Sequence, residues 1–173
     1  MVSEQPMKQP NHKESPALRF LLASFWTILC ILVVGAPVLA SQKHYVLSSF
    51  IYLVYSGVCH QIPERSFFLA GFPLAVCHRC SGIYLGFIAG SLVKNPFIYR
   101  SPRARRSWII VSMIPVFLDV SLPFAGIAES TPISRFLTGL LFGTMLSSIF
   151  LYGITELLHR APFRGFNFKG GVQ

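Results

Sequence analysis

The chain has 173 residues, 53% of them hydrophobic and only 12% charged, with a mean hydropathy of +0.57. A soluble domain of this length carries about 25% charged residues, so a water-solvated globule is excluded and lipid is the implied solvent. The net charge of +9, from 15 Lys and Arg against 6 Asp and Glu, would suit nucleic acid in a soluble protein. Here the basic residues lie between apolar runs instead of along one polar face, which excludes nucleic acid as the partner and points to cytoplasmic loops and anionic lipids of a bilayer.

The first residues are polar, hold Pro6, Pro10 and Pro16, and predict a disordered N-terminal tail over 1–19. A transmembrane helical domain is expected over 20–158 and a basic C-terminal tail over 159–173. A spanning helix needs about 20 mostly apolar residues. Residues 20–40 carry no charge and fit. Arg19 before this run and Val38-Leu39-Ala40 before Ser41 resemble a signal peptide, but the run is long for a signal sequence, so an uncleaved anchor is expected. Cys30 stands alone in it and reads as a packing residue.

The next apolar run, 45–58, is shorter than a span, and reads as a short crossing helix or a re-entrant one. Residues 74–93 fit a span in length, with His78 and Arg79 near the start. Residues 107–128 fit with one acid, Asp119. Residues 133–158 fit with Arg135 near the start and Glu156 near the end, where Arg160 supplies an i,i+4 partner. The expected fold is therefore all-α: a polytopic transmembrane bundle with four full spans plus one short or re-entrant helix, or alternatively five spans.

Lys94, Arg100, Arg103, Arg105 and Arg106 put the loop after 74–93 in the cytoplasm. The C-terminal tail, two spans later, falls on the same side, and 61–73 falls outside with either span count. Lys8, Lys13 and Arg19 favour an inside N-terminus. The expected location is the cell (inner) membrane. Gly82, Gly86 and Gly90, with Gly139 and Gly143, recur every four residues, a spacing that lets helix backbones approach closely. Helix packing within the chain is the expected use; a homodimer through the same faces is the alternative.

The chemistry is concentrated in Cys59-His60-Gln61-Ile62-Pro63-Glu64-Arg65-Ser66-Phe67 and Cys77-His78-Arg79-Cys80-Ser81-Gly82. Thiolates and imidazole suit zinc, and C-x-x-C brings two sulfurs to one ion from a single turn. Cys59, His60, Cys77 and Cys80 are the candidate ligands, with iron or copper also compatible. The same C-x-x-C at a helix start, flanked by cations, suits thiol redox chemistry with a quinone as electron acceptor. A plain disulfide or inert thiols are the bland alternative. Asp119 at membrane depth costs about 2.5–3.5 kcal/mol on insertion scales and calls for a partner or a cavity. With Gln61, Arg65, Arg79 and Arg135 it can form a polar pocket that binds a cofactor or a lipid headgroup, because guanidinium matches phosphate and carboxylate. An ion pair of Asp119 with Arg79 or Arg135 is the structural alternative. No nucleotide loop, paired catalytic carboxylates or Ser/His/Asp order assigns an enzyme class.

These motifs resemble a prokaryotic membrane-protein family known only as domain of unknown function 2085. The matching residues are Cys59-His60-Gln61, Arg65-Ser66-Phe67, Cys77, Arg79-Cys80, Gly82-Ile83-Tyr84 and Gly86, followed by Asp119, Glu129-Ser130, Arg135, Thr138-Gly139 and Gly143. The resemblance runs from about Tyr45 to Leu151. His78 departs from the family pattern, where a small residue is expected, which favours His60 over His78 as a ligand. The resemblance supplies no activity; it implies that Cys59, His60, Cys77, Cys80, Arg65, Arg79, Asp119 and Arg135 form one unit.

Overall fold

The computed structural model describes residues 15–93 and 102–160. Its elements, in chain order, are α1 (Pro16–Ser41), α2 (Tyr45–Ser56), a 3₁₀ turn (Pro63–Arg65), β1 (Ser66–Leu69), β2 (Phe72–Cys77), α3 (His78–Leu92), α4 (Pro102–Phe124) and α5 (Pro132–Arg160). The architecture is a helical bundle, as expected. Among the described residues, three helices are long and apolar enough to cross a membrane: α1, the Arg106–Phe124 part of α4 and the Pro132–Leu158 part of α5. They keep large apolar side chains such as Phe20, Ile31, Phe117 and Leu141 on the outside, where lipid is the compatible solvent.

α1 starts at Pro16, whose fixed φ suits a first helical position. Pro16–Arg19, expected in the tail, is thus part of the helix; residues 1–14 and 161–173 of the two expected tails lie outside the described residues. α1 ends at a turn in which Lys43 takes a positive φ of 65°. The chain then doubles back. The Ser48 hydroxyl donates to the Ala36 carbonyl at 2.8 Å, and the Tyr55 hydroxyl to the Leu29 carbonyl at 2.7 Å, which is the register of an antiparallel pair.

The run expected to span at 74–93 is divided: its first residues form β2 and only His78–Leu92 is helical. At 15 residues, α3 is about 22 Å long, short of a ~30 Å hydrocarbon core. The cause is the preceding hairpin. Ala70 and Gly71 both hold positive φ, 52° and 83°, as a two-residue turn between paired strands requires. Strand pairing then claims Phe72–Cys77 before the helix begins.

α2 and α3 cover successive stretches of α1. Ser48 and Tyr55 of α2 meet Ala36 and Leu29; Trp26 then stacks on Phe87 of α3 with ring centres 4.0 Å apart, and Arg19 donates to the Leu92 carbonyl at 3.4 Å. The two short helices together retrace α1 in the opposite direction, as one pass broken by residues 57–77. The expected short helix at 45–58 is therefore the first half of a broken return.

α3 and α5 run in the same direction in close contact. A Cβ on Gly82, Gly86 or Gly90 would overlap the carbonyl oxygens of Phe136, Leu140 and Thr144 in turn, and one on Gly139 or Gly143 would overlap those of Arg79 and Ile83. Ser147 donates to the Phe87 carbonyl at 2.9 Å and its Oγ lies 3.0 Å from that of Ser91, satisfying buried hydroxyls across the same seam. The five glycines are thus engaged inside one chain.

Candidate functional site

The break between α2 and α3 places the Cys/His segments at the end of the bundle where α4 finishes and α5 begins. Val33, Ala36, Ile51, Tyr55, Cys59, Ala75 and Val76 form a buried cluster that fixes the segment's two sides. Polar clamps add direction. The Tyr52 hydroxyl donates to the Pro73 carbonyl. The Gln61 amide nitrogen donates to the Tyr52 and Ala75 carbonyls, both at 2.8 Å, from a backbone with φ of 50°. Gln61 was expected to bind a cofactor; both its amide protons instead tie α2 to β2.

The sulfurs of Cys59, Cys77 and Cys80 lie within 4.8 Å of one another. Cys59 is buried and the other two are half-buried; all are free thiols. A tetrahedral zinc with 2.3 Å bonds holds its sulfurs about 3.8 Å apart, so about 1 Å of side-chain adjustment would close the group on an ion. The Cys77 backbone N–H donates to the Cys59 sulfur at 3.2 Å. Cys77 caps α3, so the positive end of the helix faces the sulfurs. The donor set suits a soft or borderline metal.

His60 was expected among the ligands and does not join this group. Adjacent side chains diverge: with Cys59 turned inward, His60 is exposed on the same cavity's wall. His78 is buried against the Phe67 ring at 4.3 Å, and its Nδ1 has no hydrogen-bond partner among the described residues. Cys30 lies half-buried in α1.

The thiols open on a cavity of about 590 Å³. Its wall contains Cys59, Cys77 and Cys80, and also His60, Gln61, Arg65, Arg79, Asp119 and Arg135, which are all nine residues singled out from the sequence. Arg79 pairs with Asp119, whose side chain is only 6% exposed. Ser134 donates to the other Asp119 oxygen at 2.7 Å, so the acid joins α3, α4 and α5. Arg135 does not share this acid; its Nε donates to the Ser130 hydroxyl at 2.7 Å. Glu129 is exposed and outside the cavity wall. Ser130 and Ser134 were missed as site residues; the only sequence signal was their place beside Glu129 and Arg135. The remaining wall is apolar, from Val58 and Ile62 on one side and Val120, Pro123 and Phe124 at the end of α4.

Residues 59–149, more than half of the chain, match the family described as "Predicted membrane protein (DUF2085)". The chain belongs to that family. Among relatives of this DUF2085 chain, an uncharacterized protein of Methanocaldococcus jannaschii is 36% identical over 117 residues, covering 66% of this chain and 74% of the relative. An uncharacterized protein of Methanothermobacter thermautotrophicus is 37% identical over 94 residues, covering 52% and 81%. No solved structure matches. The matched DUF2085 region starts at Cys59 and contains the three thiols and every charged residue of the cavity wall.

Proposed function

We propose that this membrane protein holds a metal ion on Cys59, Cys77 and Cys80, zinc by ligand type, with iron or copper as compatible occupants. One observation carries the reading: three thiols from two segments meet within 4.8 Å at the wall of a polar cavity. His60, on the same wall, is the candidate fourth ligand. A three-thiol set with its fourth position toward a cavity leaves room for an exogenous ligand. The site faces away from the cytoplasm of the cell membrane. The positive-inside rule supports this, because Arg103, Arg105 and Arg106 begin α4 and Asp119 lies near its other end. The start of α1 and the end of α3 share the end opposite the cavity, as does the end of α5, which supports a cytoplasmic N-terminus and C-terminus.

Elemental analysis of detergent-purified protein tests the reading. About one metal per chain, lost in Cys77→Ser, is expected. Metal-free protein with Cys77 and Cys80 joined in a disulfide overturns it.

A second reading, thiol oxidation, is favoured by the position of Cys77 at the cap of α3 with Cys80 one turn on. Here the two thiols lose two electrons and two protons, form a disulfide and reduce a quinone to a quinol. Retention of reduced thiols after incubation with a short-chain quinone eliminates it.

A further inference from the structure

The cavity carries cationic and apolar features that the thiols do not use. Arg79 is neutralised by Asp119. Arg65 and Arg135 also line the cavity, and neither has an acidic partner among the described residues. Ser130 holds the Nε of Arg135, which leaves the two Nη groups as donors for a ligand. The N-terminus of the 15-residue helix α3 opens on the same space and adds partial positive charge. Two guanidiniums match a phosphate, at about −1.5 to −2, better than a single carboxylate.

The rest of the wall is apolar and open to the outside. Phe124 is 96% exposed, Val58 67% and Val120 50%. Phe124 and Val120 end a helix whose apolar side chains already face lipid, so the cavity is continuous with the lipid-facing surface. A volume of about 590 Å³ is far more than a phosphate fills, and lies within the range of sites for larger organic ligands.

We propose that this cavity binds a phosphate-bearing lipid, with its phosphate on Arg65 and Arg135 and its apolar chain leaving along Val58, Val120 and Phe124. The ligand needs no metal, so the proposal is independent of the metal reading.

The test uses full-length protein in a non-ionic detergent and three probes: dioctanoyl phosphatidate, dioctanoylglycerol and inorganic phosphate, with affinities read by equilibrium binding. Phosphatidate is expected to bind at least about tenfold more tightly than either other probe, because only it engages both walls. The Arg65→Gln/Arg135→Gln double variant is expected to lose about tenfold or more in phosphatidate affinity. Phe124→Ala, at a side chain with almost no packing role, is expected to lose about threefold. Equal binding of inorganic phosphate overturns the proposal in favour of a free-anion site, and equal binding of dioctanoylglycerol overturns it in favour of an apolar groove. Unchanged phosphatidate affinity in the double variant with native helix content also overturns it. If that variant fails to fold, the probe comparison on the wild type and Phe124→Ala decide. Metal content measured on the same samples separates the readings: lipid binding by metal-free protein supports this site and sinks the metal centre, while metal without lipid selectivity does the reverse.

Discussion

The backbone N–H of Cys77 donates to the sulfur of Cys59 at 3.2 Å, across the break between α2 and α3. The contact satisfies a backbone N–H inside the protein without recruiting a further side chain. The bond also registers the two halves of the broken pass, because Cys59 follows α2 and Cys77 caps α3. Irregular backbone in a membrane protein is tolerated where protein groups or a cavity satisfy it. Here the sulfur, the Gln61 amide and the Tyr52 hydroxyl do so.

Cys59→Ser keeps an acceptor for the Cys77 N–H but removes the buried soft ligand. The expected outcome is folded protein whose metal content drops at least about tenfold, because two thiols hold a metal far less tightly than three. Cys30→Ser, in α1 and outside the three-thiol group, should leave the metal content unchanged. Elemental analysis of both variants beside the wild type checks this.

Gln61 separates a side-chain effect from a backbone one. Its φ of 50° favours glycine, whereas its amide makes two hydrogen bonds that glycine cannot. Gln61→Gly is therefore relaxed in the backbone yet loosens the cysteine segments. Metal affinity should fall about 10–100-fold, as for loss of a group that positions ligands. A competition titration with a metal chelator measures it. Unchanged affinity would mean that the cluster is positioned by its apolar packing alone.

Much of this site was legible because its chemistry is expensive to bury. Cys59, Arg65, Arg79, Asp119 and Arg135 stand out in a chain with so few charges, and the cavity brings them together. The hairpin was not legible. Residues 74–93 read as one helix because an apolar run has no visible period, and Ala70-Gly71 is a weak form of a turn usually marked by Asn-Gly. His60 stands apart from the three sulfurs for a local reason: its neighbour Cys59 turns inward, which leaves His60 exposed on the cavity wall. The choice of Arg79 over Arg135 as partner of Asp119 depends on how α3 and α5 are seated together, and the glycine spacing gives the contact without its register.

Asp119 and Arg79 should behave as a pair. Asp119→Ala leaves Arg79, whose side chain is 27% exposed, without its counter-ion, and leaves Ser134 without an acceptor. The expected loss is about 2 kcal/mol, below the 3–5 kcal/mol of a fully buried pair because Arg79 reaches the cavity. Asp119→Asn keeps oxygen and hydrogen-bonding capacity and should lose about half as much. Arg79→Met combined with Asp119→Ala removes both charges and should be more stable than Asp119→Ala alone. Unfolding midpoints in detergent give the order. A double variant no better than the single one would mean that the pair does not interact energetically.

Gly86 and Gly153 offer the sharpest contrast between packing and propensity. Both lie in helices, where Gly→Ala ordinarily stabilises by about 0.5–1 kcal/mol. At Gly153 nothing lies within 4 Å of an added Cβ, so Gly153→Ala should show that gain. At Gly86 the added Cβ would overlap the Leu140 carbonyl oxygen and come within 2.8 Å of the Thr144 nitrogen; both are backbone atoms that no rotamer change can move. Gly86→Ala should therefore destabilise by about 1–3 kcal/mol, the range for overpacking a well-filled contact. Because α3 also carries Cys80 and Arg79, separation of α3 from α5 should disturb the thiols too, and metal content should fall along with the unfolding midpoint. Equal midpoints for Gly86→Ala and Gly153→Ala would overturn the close α3–α5 contact on which the position of the site depends.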